Sequence, residues 1–367
     1  MAEKYKSFNS AMLTYFIIVI LFVALRLLSS FGLLSFMGEA GDYVFTIVVQ
    51  IVLLFCGSIF LYSAFKKQKI KRTFGEFGIK KVSWKIVGFS ILLGAVVFFL
   101  NMFVSSAFNG LIGLLGYEHA SGSAISSYSF ATLIVNVIFT AVLPGICEEI
   151  AHRGMLLKSL SPLGASKAIW ISALFFGLLH LNIEQFFYAT IIGLFLGFLT
   201  MVSNSIVPAM IVHFMNNFLS TYLTFSQVNG LPFGEIVSWV EAVLSSNVFV
   251  AIIMTLAILV ILLYLLFLLT RKIASVSLKD DINLMQQEFG KQLLREAYLM
   301  DLENAKNNVA GQPLSSDAFD RLKQFIIIED DGQEQKFVMP KYGKLLLAVT
   351  MCLAAVLTIC TFVWGVL

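Results

Sequence analysis

Stretches of about 20 apolar residues recur along the chain, at roughly 11–37, 43–65, 86–116, 129–156, 165–181, 184–203, 206–225, 245–270 and 345–366. Segments of that length suit a hydrocarbon core about 30 Å thick. No soluble arrangement offers an alternative. With 59% hydrophobic and 13% charged residues and a mean hydropathy of +0.89, the chain cannot cover its apolar surface with polar side chains, and lipid must act as its solvent. The expected fold is therefore an all-α, polytopic membrane helix bundle of about nine transmembrane helices. The first apolar run outlasts the roughly 7 to 15 residues of a signal-peptide core, so it reads as a retained span.

Charge fixes the orientation. If the N-terminus is cytoplasmic, the inward-facing stretches are 1–10, 66–85, 153–168, 204–205 and 271–344, and together they hold 24 of the 25 lysines and arginines; the remaining one, Arg26, lies in the first span. The outward loops "YEHASGSAISSY" and "TFSQVNGLPFGE" hold none. This is the positive-inside pattern, and it favours an odd number of spans. Its agreement with a lack of glycosylation sequons points to a multi-pass protein of a bacterial plasma membrane. The domain reading is an eight-helix membrane domain over 1–270, a cytoplasmic mixed-charge insertion over 271–344 and a C-terminal transmembrane helix over 345–367. The insertion carries 11 basic and 12 acidic residues. Its helical run bears an apolar stripe (Leu284, Phe289, Leu293, Leu294, Leu302) that suits a protein partner or the bilayer surface. "AGQPLSSD" reads as a loop, and "FIIIEDDGQEQKFVMP" as a hairpin turning at Asp331-Gly332. The patch "KKQKIKRTFGEFGIKK" at 66–81 reads as a topology determinant that also attracts anionic headgroups or substrate tails. Cys56, Cys147, Cys352 and Cys360 show no metal or disulfide spacing. Nothing in the sequence points to nucleic acid.

Ionised side chains at membrane depth cost about 2.5 to 3.5 kcal/mol each on insertion scales, so they usually face the bundle interior and serve a function. Here Glu148, Glu149, His152, Arg153, His180 and His213 lie in apolar windows, with the amides Asn101, Asn136, Asn182, Asn216 and Asn217. At about 100° per residue, Glu149 and Arg153 share a helix face and make the favourable i,i+4 order of acid before base. Glu148 points elsewhere and stays free for chemistry. Pro144 and Gly145 predict a break or kink that admits water. Phe176 and His180 are four apart on the next span, as are His213 and Asn217 two spans later. A shared polar cavity explains the set. No G-x-S-x-G elbow or Cys beside His supplies a nucleophile, and the acidic neighbour of Cys147 disfavours its thiolate. The remaining scheme is activated water: Glu148 removes the proton, His180 helps hold the water, and His213 with Asn217 stabilises the oxyanion.

"EEIAHR", "FGLLH" and "HFMNN" resemble, in order, the EExxxR, FxxxH and HxxxN motifs of the CAAX-protease and bacteriocin-processing family of intramembrane glutamate endopeptidases. The likeness covers roughly 85–225. It implies Glu148 as catalytic base, His180 as water-holding partner, His213 and Asn217 as oxyanion stabilisers, and Glu149 with Arg153 as the conformation-setting pair. Family substrates would be a prenylated tail, a pheromone or a bacteriocin-type peptide, cut toward the cytoplasmic half without a cofactor. His152 departs from the family pattern, and the spacing suggests a pair with Glu148 at i+4. Three other readings fit the same residues: a zinc-dependent protease using two His and a Glu, a non-catalytic scaffold or bacteriocin-immunity protein, and a transporter with a proton relay.

Overall fold

The computed structural model describes residues 2–32, 35–118, 128–246, 248–306 and 337–366, and among these the regular structure is helical throughout. The helices are α1 (Ala2–Ser30), α2 (Ala40–Lys66), α3 (Ile70–Glu76), α4 (Trp84–Leu114), α5 (Phe130–Leu163), α6 (Ala165–Leu179), α7 (Ile183–Ser203), α8 (Val207–Val228), α9 (Pro232–Ser246), α10 (Val248–Lys306) and α11 (Lys341–Val366). By length and composition, 7 of the described helices can cross a membrane: α1, α2, α4, α5, α7, the Phe249–Asn283 part of α10 and the Lys341–Val363 part of α11. The protein is thus a multi-pass membrane helix bundle. The windows at 165–181 and 206–225 are also helical, but α6 has only 15 residues. At 1.5 Å per residue it is roughly 22 Å long, and α8 carries His213, Asn216 and Asn217 among its 22 residues, which dilutes its apolar character. Helix α9 lies outside the apolar windows, because Glu235 and Glu241 interrupt its sequence.

The chain divides into two compact units, Met1–Ser277 with Met339–Leu367, and Leu278–Val338. In the second, residues 278–306 are helical. The expected loop at 310–317, the hairpin turn at Asp331-Gly332, the side chains of the Leu284 to Leu302 stripe and most of the 117–128 loop lie outside the described residues.

In the first unit, α1 and α5 run antiparallel, since Ser7 Oγ lies 3.4 Å from Ser159 Oγ while Tyr15 reaches His152. Small residues let the backbones approach, as expected where lipid removes the hydrophobic drive between helices. A Cβ on Gly145 would stand 3.2 Å from both Cβ and N of Phe214, so this glycine lets α5 seat directly on α8. A buried cluster of Ile86, Leu93 and Val97 from α4, Leu196 and Leu199 from α7, and Ala209 and Val212 from α8 fills the space beside that seam.

Of the break or kink expected at Pro144-Gly145, the break does not occur. Helix α5 runs unbroken through Pro144 because the turn before it, Ile138–Val142, is a wider π-helix, a geometry that absorbs the missing proline N–H. Further π stretches occupy Val48–Gly57 in α2 and Ile150–Leu157 in α5.

The basic patch at 66–81 is partly neutralised from within. Lys66 Nζ lies 2.7 Å from Glu76 Oε2 and 3.4 Å from Glu3 Oε1, and Arg72 bonds Glu76 at 3.1 Å and Glu3 at 2.9 Å. Burial pushes the Glu76 carboxyl up, but hydrogen bonds from Lys66, Gln68 and Arg72 outweigh it and hold the group below the usual carboxylate value.

Candidate active site

Helix α5 carries Glu148 near its middle, 15 residues from Leu163 and 18 from Phe130, or about 22 and 27 Å along the axis. Glu148 is 9% exposed, and its Oε1 accepts a 2.8 Å hydrogen bond from Gln50 Nε2 of α2. Glu149 and Arg153 are fully buried, with Arg153 Nε 3.2 Å from Glu149 Oε2. The other oxygen of Glu149 accepts from His213 Nδ1 at 2.9 Å. One carboxylate therefore ties a guanidinium on its own helix to an imidazole on α8.

Phe176 of α6 is the common wall of the site. Its ring centroid is 4.3 Å from Arg153 Cζ, a cation–π contact. The rings of His152, His180 and His213 meet it edge-on at 5.1, 5.4 and 5.5 Å between centroids.

Hydrogen-bond partners settle the tautomers. His180 Nδ1 lies 2.9 Å from the Phe176 carbonyl; a carbonyl only accepts, so the proton sits on Nδ1 and Nε2 is an acceptor. His152 does not pair with the Glu148 side chain. Its Nδ1 donates to the Glu148 backbone carbonyl at 2.8 Å and its Nε2 accepts from the Tyr15 hydroxyl at 2.9 Å. Both ring nitrogens are thus occupied in the helix interior, and the i+4 spacing serves the backbone rather than the carboxylate. Asn217 Nδ2 donates to the Thr140 carbonyl at 3.0 Å, and its Oδ1 accepts from Asn216 Nδ2 at 2.9 Å.

Two cavities flank Glu148. One, about 350 Å³, is lined by Thr140, Pro144, Glu148, Phe176, His180, Gln185, Tyr188, His213, Asn216 and Asn217. The other, about 270 Å³, is lined by Glu148 and His180 with Gln50, Arg26, Asn182 and the apolar Phe22, Phe45 and Leu179. Glu148, His180 and Gln185 face both. A single water needs only about 10–15 Å³ by this measure, so either space accepts a water together with part of a larger ligand.

Side chains from α5, α6 and α8 thus meet in one cavity: Glu148, Phe176, His180, His213 and Asn217 line it, while Glu149 and Arg153 stand behind. Asn101 and Asn136 do not join them; Asn136 bonds Tyr128 instead. Sequence reasoning missed Gln50, Gln185 and Tyr188. For Gln50 the signal was present, since an amide at membrane depth in an apolar window carries the same meaning as the asparagines. Among the described residues no three His, Cys, Asp or Glu side chains are grouped to hold a metal ion, and Glu149, the nearest further acid, is committed to Arg153 and His213. Cys147 is buried and free.

Residues 130–219 match the family model of the Rce1-like type II CAAX prenyl endopeptidases. That segment contains all three motifs, and the resemblance read from them holds over it. No curated protein and no solved structure matches the chain.

Proposed function

We propose, from this family match, that the protein is an intramembrane endopeptidase that hydrolyses a peptide bond with water activated by Glu148. The observation that carries the reading is the meeting of Glu148 from α5, His180 at the C-cap of α6, and His213 and Asn217 from α8 around one cavity at membrane depth. The bare Nε2 of His180 accepts one hydrogen of the water, and the Glu148 carboxylate takes the other as the water oxygen bonds to the carbonyl carbon. His213 holds its Nδ1–H against Glu149, and in the form that also carries a proton on Nε2 it donates that proton's hydrogen bond to the developing oxyanion. The second N–H of Asn217 adds to that stabilisation. Collapse of the tetrahedral species breaks the C–N bond, and Glu148 returns its proton to the leaving amine. Glu149 and Arg153 touch no reacting atom; they set the angle of His213 and the height of Phe176.

No step of this scheme passes through a metal. Hydrolysis is expected to survive exhaustive chelation. The substrate class is a peptide or protein tail, of prenylated, pheromone or bacteriocin type, processed in a bacterial plasma membrane, with residues 271–344 as a docking region for a protein partner. Comparative peptidomics of membranes carrying the parent chain or Glu148→Ala tests activity and substrate together. Peptides that accumulate uncut only with Glu148→Ala, at equal expression, are the expected result; identical peptidomes would leave the proteolytic reading without support.

A further inference from the structure

The π-helical stretch "VVQIVLLFCG" of α2 carries one amide among apolar residues. Gln50 is 8% exposed, donates from Nε2 to Glu148 Oε1 at 2.8 Å, and has a buried Oε1 with no partner. An amide buried with its acceptor unmet weakens a fold relative to an apolar side chain of similar volume, so stability does not account for a glutamine here. Its contact does. The terminal torsion of a glutamate is broad and roughly two-fold, and an unclamped carboxylate would sample orientations in the space between the two cavities that Glu148 faces.

We propose that Gln50 is the positioning residue for the Glu148 carboxylate: its N–H fixes Oε1 and leaves Oε2 as the proton acceptor. This rests on Glu148 being the base, and it assigns part of the site to α2, which lies outside the segment matched by the family model. Gln50 is the third residue of the wide-turned stretch Val48–Gly57, and its hydrogen bond to Glu148 sets it against α5. Gln50 acts through Glu148 and does not contact the scissile bond.

The test compares the full-length parent, Gln50→Leu and Glu148→Ala, reconstituted in nanodiscs, with two readouts. With an internally quenched S-prenylated CAAX peptide as probe, Gln50→Leu is expected to lower kcat by roughly 10- to 100-fold, the loss of one hydrogen bond to a charged group, with KM within about twofold. Independently of turnover, dicyclohexylcarbodiimide, which modifies protonated carboxyl groups in apolar surroundings, is expected to label Glu148 severalfold faster in Gln50→Leu, as read by peptide mass spectrometry. An unchanged labelling rate overturns the inference whatever the peptide assay shows. Full activity of Glu148→Ala instead overturns the proposed function and leaves the clamp to be judged by labelling alone.

Discussion

Replacing Arg153 with methionine separates two roles that the structure assigns to one ion pair. The guanidinium is fully buried, lies 3.2 Å from Glu149 Oε2, donates to the Gly193 carbonyl at 3.2 Å and sits 4.3 Å from the Phe176 ring. Removing one partner of a buried pair leaves an uncompensated charge and costs about 3–5 kcal/mol, and the lost cation–π contact adds about 1–2 kcal/mol at a desolvated site. Because His213 stays 2.9 Å from Glu149 and shares its charge, the single variant should lose about 3–5 kcal/mol in all. The double variant Glu149→Leu with Arg153→Met removes both charges. Apolar replacement of a whole buried pair is often neutral, so it should recover to within about 1–2 kcal/mol of the parent, a coupling expected for residues in contact. Hydrolysis should not return, because His213 Nδ1 has lost its acceptor. Thermal unfolding in detergent with a peptide-cleavage assay reads both quantities. A single-variant loss under about 1 kcal/mol would mean that the pair behaves as if solvated, and an active double variant would refute the claim that Glu149 orients His213.

Two further expectations concern the packing and the cytoplasmic side. Gly145→Ala places a methyl 3.2 Å from the backbone N of Phe214, which cannot rotate away; it should destabilise by about 1–3 kcal/mol and lower hydrolysis by moving α8 from α5, and unchanged activity would show that the seam tolerates separation. Glu76, held below the ordinary carboxylate value by Lys66, Gln68 and Arg72, contributes stability that is present above about pH 4.3, its unfolded value, and is lost as pH falls through the lowered folded value. Melting temperatures between about pH 7 and 3 should therefore fall less for Glu76→Gln than for the parent, and parallel curves would show that this cluster does not contribute to acid sensitivity.

Helical identity was legible because apolar length alone encodes it in lipid, and seven of the nine apolar windows coincide with described helices long and apolar enough to cross. Spacing also placed Glu149 beside Arg153, since the i,i+4 relation depends on one helix only. Spacing does not carry contact between segments. The partner of His152 is Tyr15, 137 residues away, and the partner of Glu148 is Gln50, 98 residues away. The sequence likewise marked Pro144-Gly145 as a break or kink; the helix is not broken there, and Gly145 lets α5 approach α8 closely. The ends of the first span differ for a local reason: α1 begins at Ala2 rather than at residue 11, because residues 2–10 are helical, with Glu3 in the first turn, but too polar to count in an apolar window.

The three π stretches among the described residues account for the rest of the pattern that the sequence left hidden. Val48–Gly57 holds Gln50, Ile138–Val142 holds Thr140, whose carbonyl receives Asn217, and Ile150–Leu157 holds His152 and Arg153. Each therefore bears a residue that touches the site or supports it. A reading at about 100° per residue assumes a regular helix. Each wide turn shifts the phase of the residues beyond it, so that reading cannot say which face they present to a neighbouring helix. Wide turns are energetically poorer than α-helical ones and occur frequently at functional sites. In a bundle whose other long described helices are regular, these wide turns lie on both sides of Glu148 and carry the residues by which α2 and α5 reach the rest of the site: Gln50 to Glu148, Thr140 to Asn217 of α8, His152 to Tyr15 of α1, and Arg153 to Gly193 of α7 and Phe176 of α6.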